Sequence, residues 1–536
     1  MKNVLVFFML TALSASGIYA QEQNYVDYYD KEQTQKRAEG KYMRGIEHGQ
    51  WKTYFEDGTL ESQVMYNMGK LDGELKKFHS TGNPSLVQHY RNNRLDSLAL
   101  QYYPDGNLLS EGNYEENRKR GVWKYYYSNG ELKLKEEFGD DGLRLLEFND
   151  RTVNSKYGIK EGTGVYVSYH SNGEILERIE YVNGIEHGLY NKHSTMGVLT
   201  EEGQYNEGVT DGLWTYYYPS GKLREKITWE NGLENGQYIK YNTSGAAVVK
   251  GIYADGKKNG LWEWFLEEGV KDMRGEFVDD RQEGEWKFWF ANGNVHHQGS
   301  YSNGELSGEW SFYYEDGSDY KRGSFTEGKK EGLWEYWFED GELLQRGSFK
   351  NDLEQGEWES WHGNTNQASV GSFNAGKLTG LWTGWYENGV KQYEGKWNGD
   401  FRLGEWLFYH ENGKLNEKIT FGKEGTRNGA YEKRNKSDIV EEKGAYKNGV
   451  PDGKWSYFYP NGSIMRTAEY ESSKLSGETQ IFDRRGRVIE VVNYKKGRKD
   501  GTYIKYNEKN GSVEQEIEYE NGKAVNVKVQ NGKKIK

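Results

Sequence analysis

Aromatic residues and glycines recur along the chain with a period of 24 residues, and polar residues fill most of the positions between them. One glycine recurs from Gly164 to Gly404 at steps of 24 residues, and we count positions in each unit from this glycine as zero. Position +2 is tryptophan in eleven of nineteen units, position +5 is aromatic in seventeen, and position +17 is aromatic in eighteen. A fixed period of this length is typical of an array of small repeated elements.

Each unit contains two runs of strand-forming residues around a glycine at position +9, which usually follows Asn, Asp or Ser, as in Asn292-Gly293. Asn-Gly or Asp-Gly between two such runs favours a two-residue type I′ turn, because both turn residues need a positive φ. We therefore interpret each unit as one β-hairpin. A turn at +8 and +9 pairs +6 with +11, +4 with +13, +2 with +15 and zero with +17.

Glycine also occupies position +15 in ten units, for example at Gly347. The predicted register places the tryptophan at +2 opposite this glycine, and the aromatic residue at +17 opposite the glycine at zero. A large ring can cover the bare backbone of a strand glycine. We therefore expect each ring to lie over the glycine that faces it within its own hairpin.

A single hairpin of this length is not stable in water, so neighbouring hairpins must stack to bury their rings. The predicted fold is all-β, with about nineteen tandem 24-residue hairpin repeats stacked into an elongated, twisted, single-sheet solenoid. The predicted segments are a signal peptide at 1–20, a linker or N-terminal cap at 21–40, repeats at 41–130, an irregular insertion at 131–163, repeats at 164–525 and a polar tail at 526–536.

The aromatic row at position +5 is the leading candidate for a binding surface. Side chains alternate between the two faces of a strand, so this row lies opposite the tryptophans at +2 and among charged residues. Exposed aromatic rings can anchor a protein partner or stack on sugar rings. The alternative is that these rings pack on one another and hold successive hairpins together. The candidate binding residues are Trp289, Tyr313, Trp337, Trp361, Trp385 and Tyr409.

A local site is also expected where the repeat pattern is broken. Two such places are the segment 131–163 and the segment Trp361–Val370. A stripe along the whole chain suits a structural role, whereas an interruption marks a single place on the surface.

The motif Gly-x-Trp-x-x-aromatic-aromatic-x-x-Gly-x-Leu, followed by Gly-x-Tyr/Phe-x-x-Gly, resembles the MORN repeat variant. The resemblance covers about residues 40–525, with nineteen units in phase. It implies hairpins stacked into an extended sheet with a groove, and roles in interaction and scaffolding, sometimes at membranes. A bacterial branch of the family is known as antitoxins of toxin–antitoxin systems. This sequence departs from that branch, because it begins with the features of a signal peptide.

Composition and charge argue against several other classes of function. The formal net charge is −12, and Lys and Arg are interleaved with Asp and Glu, so a nucleic acid partner is not expected. Cysteine is absent, which excludes disulfides and thiolate chemistry. The ten histidines are scattered, and carboxylates occur in every unit, so no constellation points to a catalytic residue, a bound metal or a cofactor. We expect a non-enzymatic protein.

The first twenty residues are typical of a secretory signal. Lys2 precedes an apolar stretch at Val4–Leu13 that is too short to cross a bilayer, and Ala20 offers a cleavage point. No transmembrane segment is expected. The function predicted is an exported scaffold, periplasmic or secreted, for an unidentified protein partner in the cell envelope. The alternatives are a carbohydrate-binding surface for an envelope glycan, and an antitoxin-like protein that neutralises a partner toxin.

Overall fold

The computed structural model describes residues 22–152, 156–266 and 269–535, and all the regular structure in these ranges is β. The ranges contain 45 strands of one antiparallel sheet, which confirms the all-β hairpin-repeat prediction. The predicted signal peptide lies outside the described residues. The chain divides into two compact units, Met1–Ala247 with Tyr253–Lys257, and Val248–Ile252 with Lys258–Lys536.

Nineteen strands lie in the first unit, and residues of β20 (Ala247–Ala254) are divided between the two units. The strands of the first unit are β1 (Glu22–Tyr28), β2 (Lys36–Met43), β3 (Ile46–Tyr54), β4 (Leu60–Asn67), β5 (Lys70–Phe78), β6 (Pro84–Arg91), β7 (Arg94–Tyr102), β8 (Leu108–Glu115), β9 (Arg118–Tyr126), β10 (Leu132–Gly139), β11 (Gly142–Asn149), β12 (Gly158–Lys160), β13 (Thr163–Tyr169), β14 (Ile175–Val182), β15 (Ile185–His193), β16 (Leu199–Asn206), β17 (Val209–Tyr217), β18 (Leu223–Glu230) and β19 (Leu233–Tyr241).

The remaining strands lie in the second unit and continue the same alternation of hairpins. They are β21 (Lys257–Phe265), β22 (Lys271–Val278), β23 (Arg281–Trp289), β24 (Val295–Ser302), β25 (Glu305–Tyr313), β26 (Asp319–Thr326), β27 (Lys329–Trp337), β28 (Leu343–Lys350), β29 (Leu353–Trp361), β30 (Gln367–Asn374), β31 (Lys377–Trp385), β32 (Lys391–Asn398), β33 (Phe401–Tyr409), β34 (Leu415–Phe421), β35 (Arg427–Arg434), β36 (Val440–Lys447), β37 (Val450–Phe458), β38 (Ile464–Glu471), β39 (Lys474–Leu475), β40 (Gly477–Phe482), β41 (Val488–Lys495), β42 (Arg498–Tyr506), β43 (Val513–Glu520), β44 (Lys523–Gln530) and β45 (Lys533–Lys534).

The predicted register holds for most of each hairpin. In the hairpin that starts at Gly332, position zero faces +17, +2 faces +15 and +4 faces +13. The pairing of +6 with +11 is wrong, because a bulge intervenes and Trp337 at +5 faces Leu343 at +11. A bulge inserts one extra residue into one strand and bends it locally.

The turn at the tip of each hairpin differs from the predicted type I′ turn. Gly341 donates its N–H to the carbonyl oxygen of Phe338 at 3.0 Å, and the N–H of Phe338 donates to the carbonyl oxygen of Glu342 at 2.8 Å. Gly341 has a φ of 89°, whereas Asp340 is absent from the residues with positive φ. This geometry is a three-residue loop with a glycine bulge. Asp340 instead accepts the N–H of Glu342 with its carboxylate at 3.1 Å.

The type I′ geometry occurs instead in the turn that joins one hairpin to the next. After the hairpin of Gly332, the two turn residues are Asn351, with a φ of 50°, and Asp352, with a φ of 66°. They connect Lys350 directly to its strand partner Leu353. Each repeat therefore contains two strands and two different turns.

The glycine at position zero is required by the backbone rather than by a ring. The pairs Gly347–Trp358 and Ser348–Gln355 leave Gly356 within a bulge of the following strand. Gly356 has a φ of 73°, and a Cβ added there would meet nothing within 4 Å. The expectation that the aromatic residue at +17 covers this glycine is therefore wrong, and the left-handed conformation explains the glycine.

The glycine at position +15 is covered by a tryptophan, but the tryptophan belongs to the next hairpin. A Cβ on Gly347 would overlap the ring of Trp358, although the residue that faces Gly347 within its own hairpin is Trp334. The prediction of coverage within one hairpin is therefore wrong. The same stacking occurs for Gly40 and Trp51, Gly112 and Trp123, Gly203 and Trp214, Gly251 and Trp262, Gly275 and Trp286, Gly299 and Trp310, Gly323 and Trp334, Gly371 and Trp382, Gly395 and Trp406, and Gly444 and Trp455.

Each of these eleven tryptophans also makes the same hydrogen bond. Its indole N–H donates to the carbonyl oxygen ten residues earlier, the residue after the covered glycine, at 3.0–3.2 Å. The ring and the hydrogen bond together fasten each hairpin to the one before it. We call the surface that carries these rings the tryptophan face; it holds positions +2, +4, +13, +15 and +17.

The hydrophobic core is a layer of rings on the tryptophan face. Trp334 is 0% exposed, because rings surround it on the sheet surface. Phe325 and Phe349 meet it edge-on at 5.1 and 6.2 Å between centroids, and Tyr336 lies beside it at 6.2 Å. Edge-to-face packing of this kind stabilises aromatic clusters beyond the area that they bury.

The segment predicted as an irregular insertion contains strands with an aliphatic core. Leu145, Phe148, Ile159 and Val167 form a buried cluster there. The N–H of Leu145 donates to the carbonyl oxygen of Gly184 at 2.8 Å, which ties this segment to the turn of a later hairpin. The predicted cap at 21–40 contains β1 and most of β2, and both segment boundaries stay predictions.

Candidate functional site

The candidate residues lie on the surface opposite the tryptophan face. We call it the charged face, and it carries positions +1, +3, +5, +11, +14 and +16. All six candidates are half-buried, one on each of six consecutive hairpins of the second unit. They are Trp289, Tyr313, Trp337, Trp361, Trp385 and Tyr409.

Most of these rings are covered on one side by a polar side chain from the hairpin before. The guanidinium of Arg322 lies 5.2 Å from the ring centre of Trp337, and that of Arg346 lies 5.4 Å from Trp361. Cations placed over an aromatic face are attracted by its negative charge density. The polar cover leaves each ring partly open to solvent.

The two tyrosines among the six candidates form hydrogen bonds with polar side chains of the preceding hairpin. Tyr409 donates its hydroxyl to Glu394 at 3.0 Å, and Gln298 donates to the hydroxyl of Tyr313 at 3.2 Å. Burial, followed by the hydrogen bond to Glu394, raises the pKa of Tyr409 to about 12, so this tyrosine stays neutral at physiological pH.

The alternative of a ring-on-ring ladder is not what the described contacts show. Many of the aromatic pairs in the described ranges lie on the tryptophan face, a few join positions +6 and +12, and none joins two of the six candidate rings. Successive hairpins place equivalent positions two strands apart, roughly 10 Å, which is beyond ring contact. The row is a series of separate aromatic positions.

Ion pairs between neighbouring hairpins flank the rings. Arg322 bonds Glu335 at 3.0 Å, and Arg346 bonds Glu359 at 2.7 Å. The hydrogen bond to Glu335 raises the pKa of Arg322 above its usual value. The guanidiniums are nearly half exposed, so these pairs add little stability, but they hold both signs of charge beside the rings.

A groove of about 850 Å³ opens on the charged face around Trp289. Both signs of charge line it beside the indole of Trp289. Aromatic and arginine side chains are enriched at protein interfaces. The lining includes Arg274, Glu285, Lys287, Gln298 and Ser311.

Four histidines have a structural role that the sequence analysis did not find. His79, His170, His362 and His410 occupy position +6, where several other hairpins carry tyrosine. Each Nε2 lies 2.9–3.0 Å from a carbonyl oxygen of the following hairpin, at 2.9 Å for His362 and Trp385. A carbonyl oxygen can only accept, so Nε2 carries the proton. The signal in the sequence for this role was that these histidines occupy position +6, where other hairpins carry tyrosine.

The described ranges also contain no group of three or more His, Asp or Glu side chains arranged to hold a metal ion. Within the same ranges, no helix is long and apolar enough to cross a membrane. These findings identify no catalytic or metal-binding residues.

A comparison of the sequence with protein families decides the repeat type. The sequence profile of the MORN repeat variant matches ten units of the chain. This chain is a MORN-repeat-variant protein. MORN repeats in general form non-enzymatic scaffolds for protein interaction. The matched residues are 47–68, 95–116, 119–140, 163–183, 210–231, 282–303, 330–351, 378–398, 402–422 and 451–472.

Solved structures with some likeness to this MORN protein are much longer chains. The crystal structure of TcdB2-TccC3 is 11% identical, over 91% of this chain and 32% of that chain, with a TM-score of 0.13. The Tc holotoxin pore of Photorhabdus luminescens with a TccC3 mutation is 11% identical, over 87% and 30%, with a TM-score of 0.13. The MORN protein thus spans about a third of the length of those chains. TM-scores of 0.13 are too low to support an inference about its fold or function. No curated protein matches the sequence.

Proposed function

We propose that this MORN protein is an exported, non-enzymatic scaffold that binds a protein partner in the cell envelope through the aromatic row of the charged face. The observation that carries the proposal is a row of half-buried rings, one per hairpin, flanked by ion pairs that supply both positive and negative charges. Rings of Trp and Tyr supply large contact areas, and neighbouring charges select a complementary partner.

A protein partner suits this row better than a glycan does. A sugar stacks with its apolar face on the open face of an indole, but the guanidiniums of Arg322 and Arg346 already cover Trp337 and Trp361. A protein can instead contact the ring edges and pair with the exposed Arg and Glu side chains. The export part of the proposal is supported by Lys2 and the apolar stretch Val4–Leu13.

The test combines chemical cross-linking in intact cells with quantitative mass spectrometry. We expect one protein to cross-link specifically to the charged face, and its yield to fall at least tenfold in the double variant Trp337→Ala, Trp361→Ala. The matched control is Tyr217→Ala, which removes a ring at the same repeat position in the first unit. Equal yields from the double variant and the wild type would exclude the row as the interface.

Two further readouts separate the alternatives. Neutral glycan binding that is lost in the Trp337→Ala, Trp361→Ala variant would support a carbohydrate-binding row. Cell fractionation with N-terminal sequencing tests export: a mature chain that starts near Gln21 in the envelope or medium is expected. Retention of Met1 in the cytoplasm would instead favour an antitoxin-like partner.

A further inference from the structure

The ring layer of the tryptophan face is interrupted where Ser360 follows a run of aromatic residues at position +4. Position +4 is aromatic in four consecutive hairpins from Trp264 to Tyr336, but it is Ser360 in the next hairpin. Ser360 faces Ser369, and the two hydroxyl groups hydrogen-bond to each other at 2.7 Å. In the following hairpin, Gly384 occupies position +4, and the ring of Tyr393 covers it. Ser360 thus stands where the four preceding hairpins carry a ring.

The interruption exposes the tryptophans beneath it. Trp358 and Trp382 are 8% and 9% exposed, whereas Trp334 in the preceding hairpin is 0% exposed. A cavity of about 540 Å³ opens above them. The indole rings of Trp358 and Trp382 line it together with Tyr336, Gln345, Ser360 and Ser369.

The polar groups of this cavity are arranged around an aromatic floor. The indole N–H groups of Trp358 and Trp382 donate to Ser348 and Ser372 at 3.2 and 3.1 Å, and one face of each ring covers a glycine, so only the other face of each ring borders the cavity. When one serine hydroxyl donates to the other, the second keeps its own proton to donate. Gln345 adds an amide that can donate and accept.

The charges at the rim disfavour an anion. Asp352, Glu354 and Glu359 line the cavity, and Lys330 is its one cationic lining residue among those described. The ammonium of Lys330 already lies 4.6 Å from the ring centres of Trp334 and Phe349, and it donates to the hydroxyl of Tyr336 at 3.2 Å. An anionic occupant is therefore disfavoured.

We propose that this cavity binds a neutral sugar unit of a glycan. A pyranose ring presents C–H groups on one face, which match the indole floor, and hydroxyl groups at its edge, which match Ser360, Ser369 and Gln345. An aliphatic side chain of a protein would fill the floor but would leave these polar groups without partners, which costs free energy. The volume lies within the range of about 300–1,000 Å³ that is usual for small-ligand sites.

Apart from Glu359, which also pairs with Arg346 beside the aromatic row, the cavity residues named above lie on the face opposite the proposed protein interface. The preceding hairpins carry rings at +4, such as Phe312 and Tyr336. Ser360→Tyr would place a ring at the position where those hairpins carry one, so it closes the cavity while following the pattern of the fold.

The experiment is a titration of the full-length protein with malto-, cello- and chito-oligosaccharides. Binding is measured by tryptophan fluorescence and by isothermal titration calorimetry. We expect at least one series to bind, and Ser360→Tyr to weaken its binding at least tenfold. The matched control is Thr53→Tyr, because Thr53 and Ser62 form the same hydroxyl pair at 2.7 Å in the first unit. This control should bind as the wild type does.

A second variant keeps the test informative if Ser360→Tyr does not fold. Gln345→Ala with Ser369→Ala leaves the floor intact and removes two polar partners, and we expect binding to weaken several-fold. Thermal melting checks that each variant is folded. Absence of binding by the wild type would overturn the proposal, as would undiminished binding by a folded Ser360→Tyr variant, or binding that depends on Trp337 and Trp361 instead.

Discussion

The indole ring of Trp358 lies flat on the backbone of Gly347, a residue of the preceding hairpin, and its N–H donates to the carbonyl oxygen of the next residue, Ser348, at 3.2 Å. A single-layer sheet has no second layer to cover its apolar face. The ring provides that cover, and the glycine provides the space for it. Glycine and tryptophan therefore recur together because one ring joins two hairpins.

Replacement of Gly347 by alanine tests this contact. A Cβ at Gly347 would overlap the ring of Trp358, so the ring must move and its hydrogen bond must lengthen. We expect Gly347→Ala to lower the free energy of unfolding by about 2–4 kcal/mol, measured by urea denaturation. Gly363→Ala is the control, because a Cβ there meets nothing within 4 Å and the backbone has an ordinary φ. Similar losses in both variants would contradict the proposed role of the ring.

The glycine at position zero responds to substitution for a different reason. Gly356 has open space around it but a φ of 73°, so alanine strains the backbone without a clash. We expect Gly356→Ala to cost about 1–2 kcal/mol, and Gly356→Asn clearly less, because asparagine tolerates this conformation. Urea denaturation measures both values. An asparagine variant as unstable as the alanine variant would argue against backbone strain as the cause.

The hydrogen bond of His362 predicts which substitutions position +6 accepts. His362 donates from Nε2 to the carbonyl oxygen of Trp385 at 2.9 Å, and Tyr386 makes the equivalent bond to Tyr409 at 2.8 Å. We expect His362→Phe to cost about 1 kcal/mol in the free energy of unfolding, and His362→Tyr to cost much less, because tyrosine restores the donor. Equal costs would show that the ring alone matters. Chemical denaturation at pH 7.5 compares the two.

His297 makes stability depend on pH. Burial, followed by the positive charges of His296 and Lys321, lowers the pKa of His297 from 6.5 to about 4. Between these values the unfolded chain binds a proton that the folded chain does not, so stability falls as pH decreases from about 6.5 to about 4. Because His297 is partly exposed, we expect this residue to contribute a loss on the order of 1 kcal/mol.

The measurement for His297 is urea denaturation at pH 7.5 and pH 4.5 in the wild type and in His297→Gln. Glutamine occurs at the same repeat position two hairpins later, as Gln345, so the variant suits the fold. The wild type should lose more stability on acidification than the variant does, since the carboxylates titrate equally in both. A loss of the same size in both would show that His297 is not responsible.

The spacing of glycines and aromatic residues was enough to predict the hairpin, most of its register and the face on which the +5 row lies. The turn type was not predictable, because a glycine with positive φ, such as Gly341, suits both a type I′ turn and a three-residue loop. The partner of each glycine was also ambiguous. Trp334 and Trp358 lie at similar distances in sequence from Gly347, and only the stacking of hairpins decides between them.

The candidate site was predictable to the same extent. Alternation along the strand places Trp337 and Trp361 among charged residues. The guanidiniums of Arg322 and Arg346 cover these rings from the preceding hairpin, and the alignment of the two hairpins includes a bulge at each position zero. The segment Trp361–Val370 was noted as a break in the pattern, and the cavity beside Ser369 lies at this break. The cavity follows from Ser360 at a position where the preceding hairpins carry rings, which only a comparison of units reveals.

The hydrogen bonds that join successive hairpins also determine how the chain can fold. The hydrogen bond of Trp358 spans ten residues, and that of His362 spans 23 residues. Contacts this close in sequence give a low contact order, and closing such short loops costs little conformational entropy. Each hairpin can therefore form on the edge of the one before it, as on a template. Folding can advance along the chain in steps of one repeat, without waiting for any distant segment.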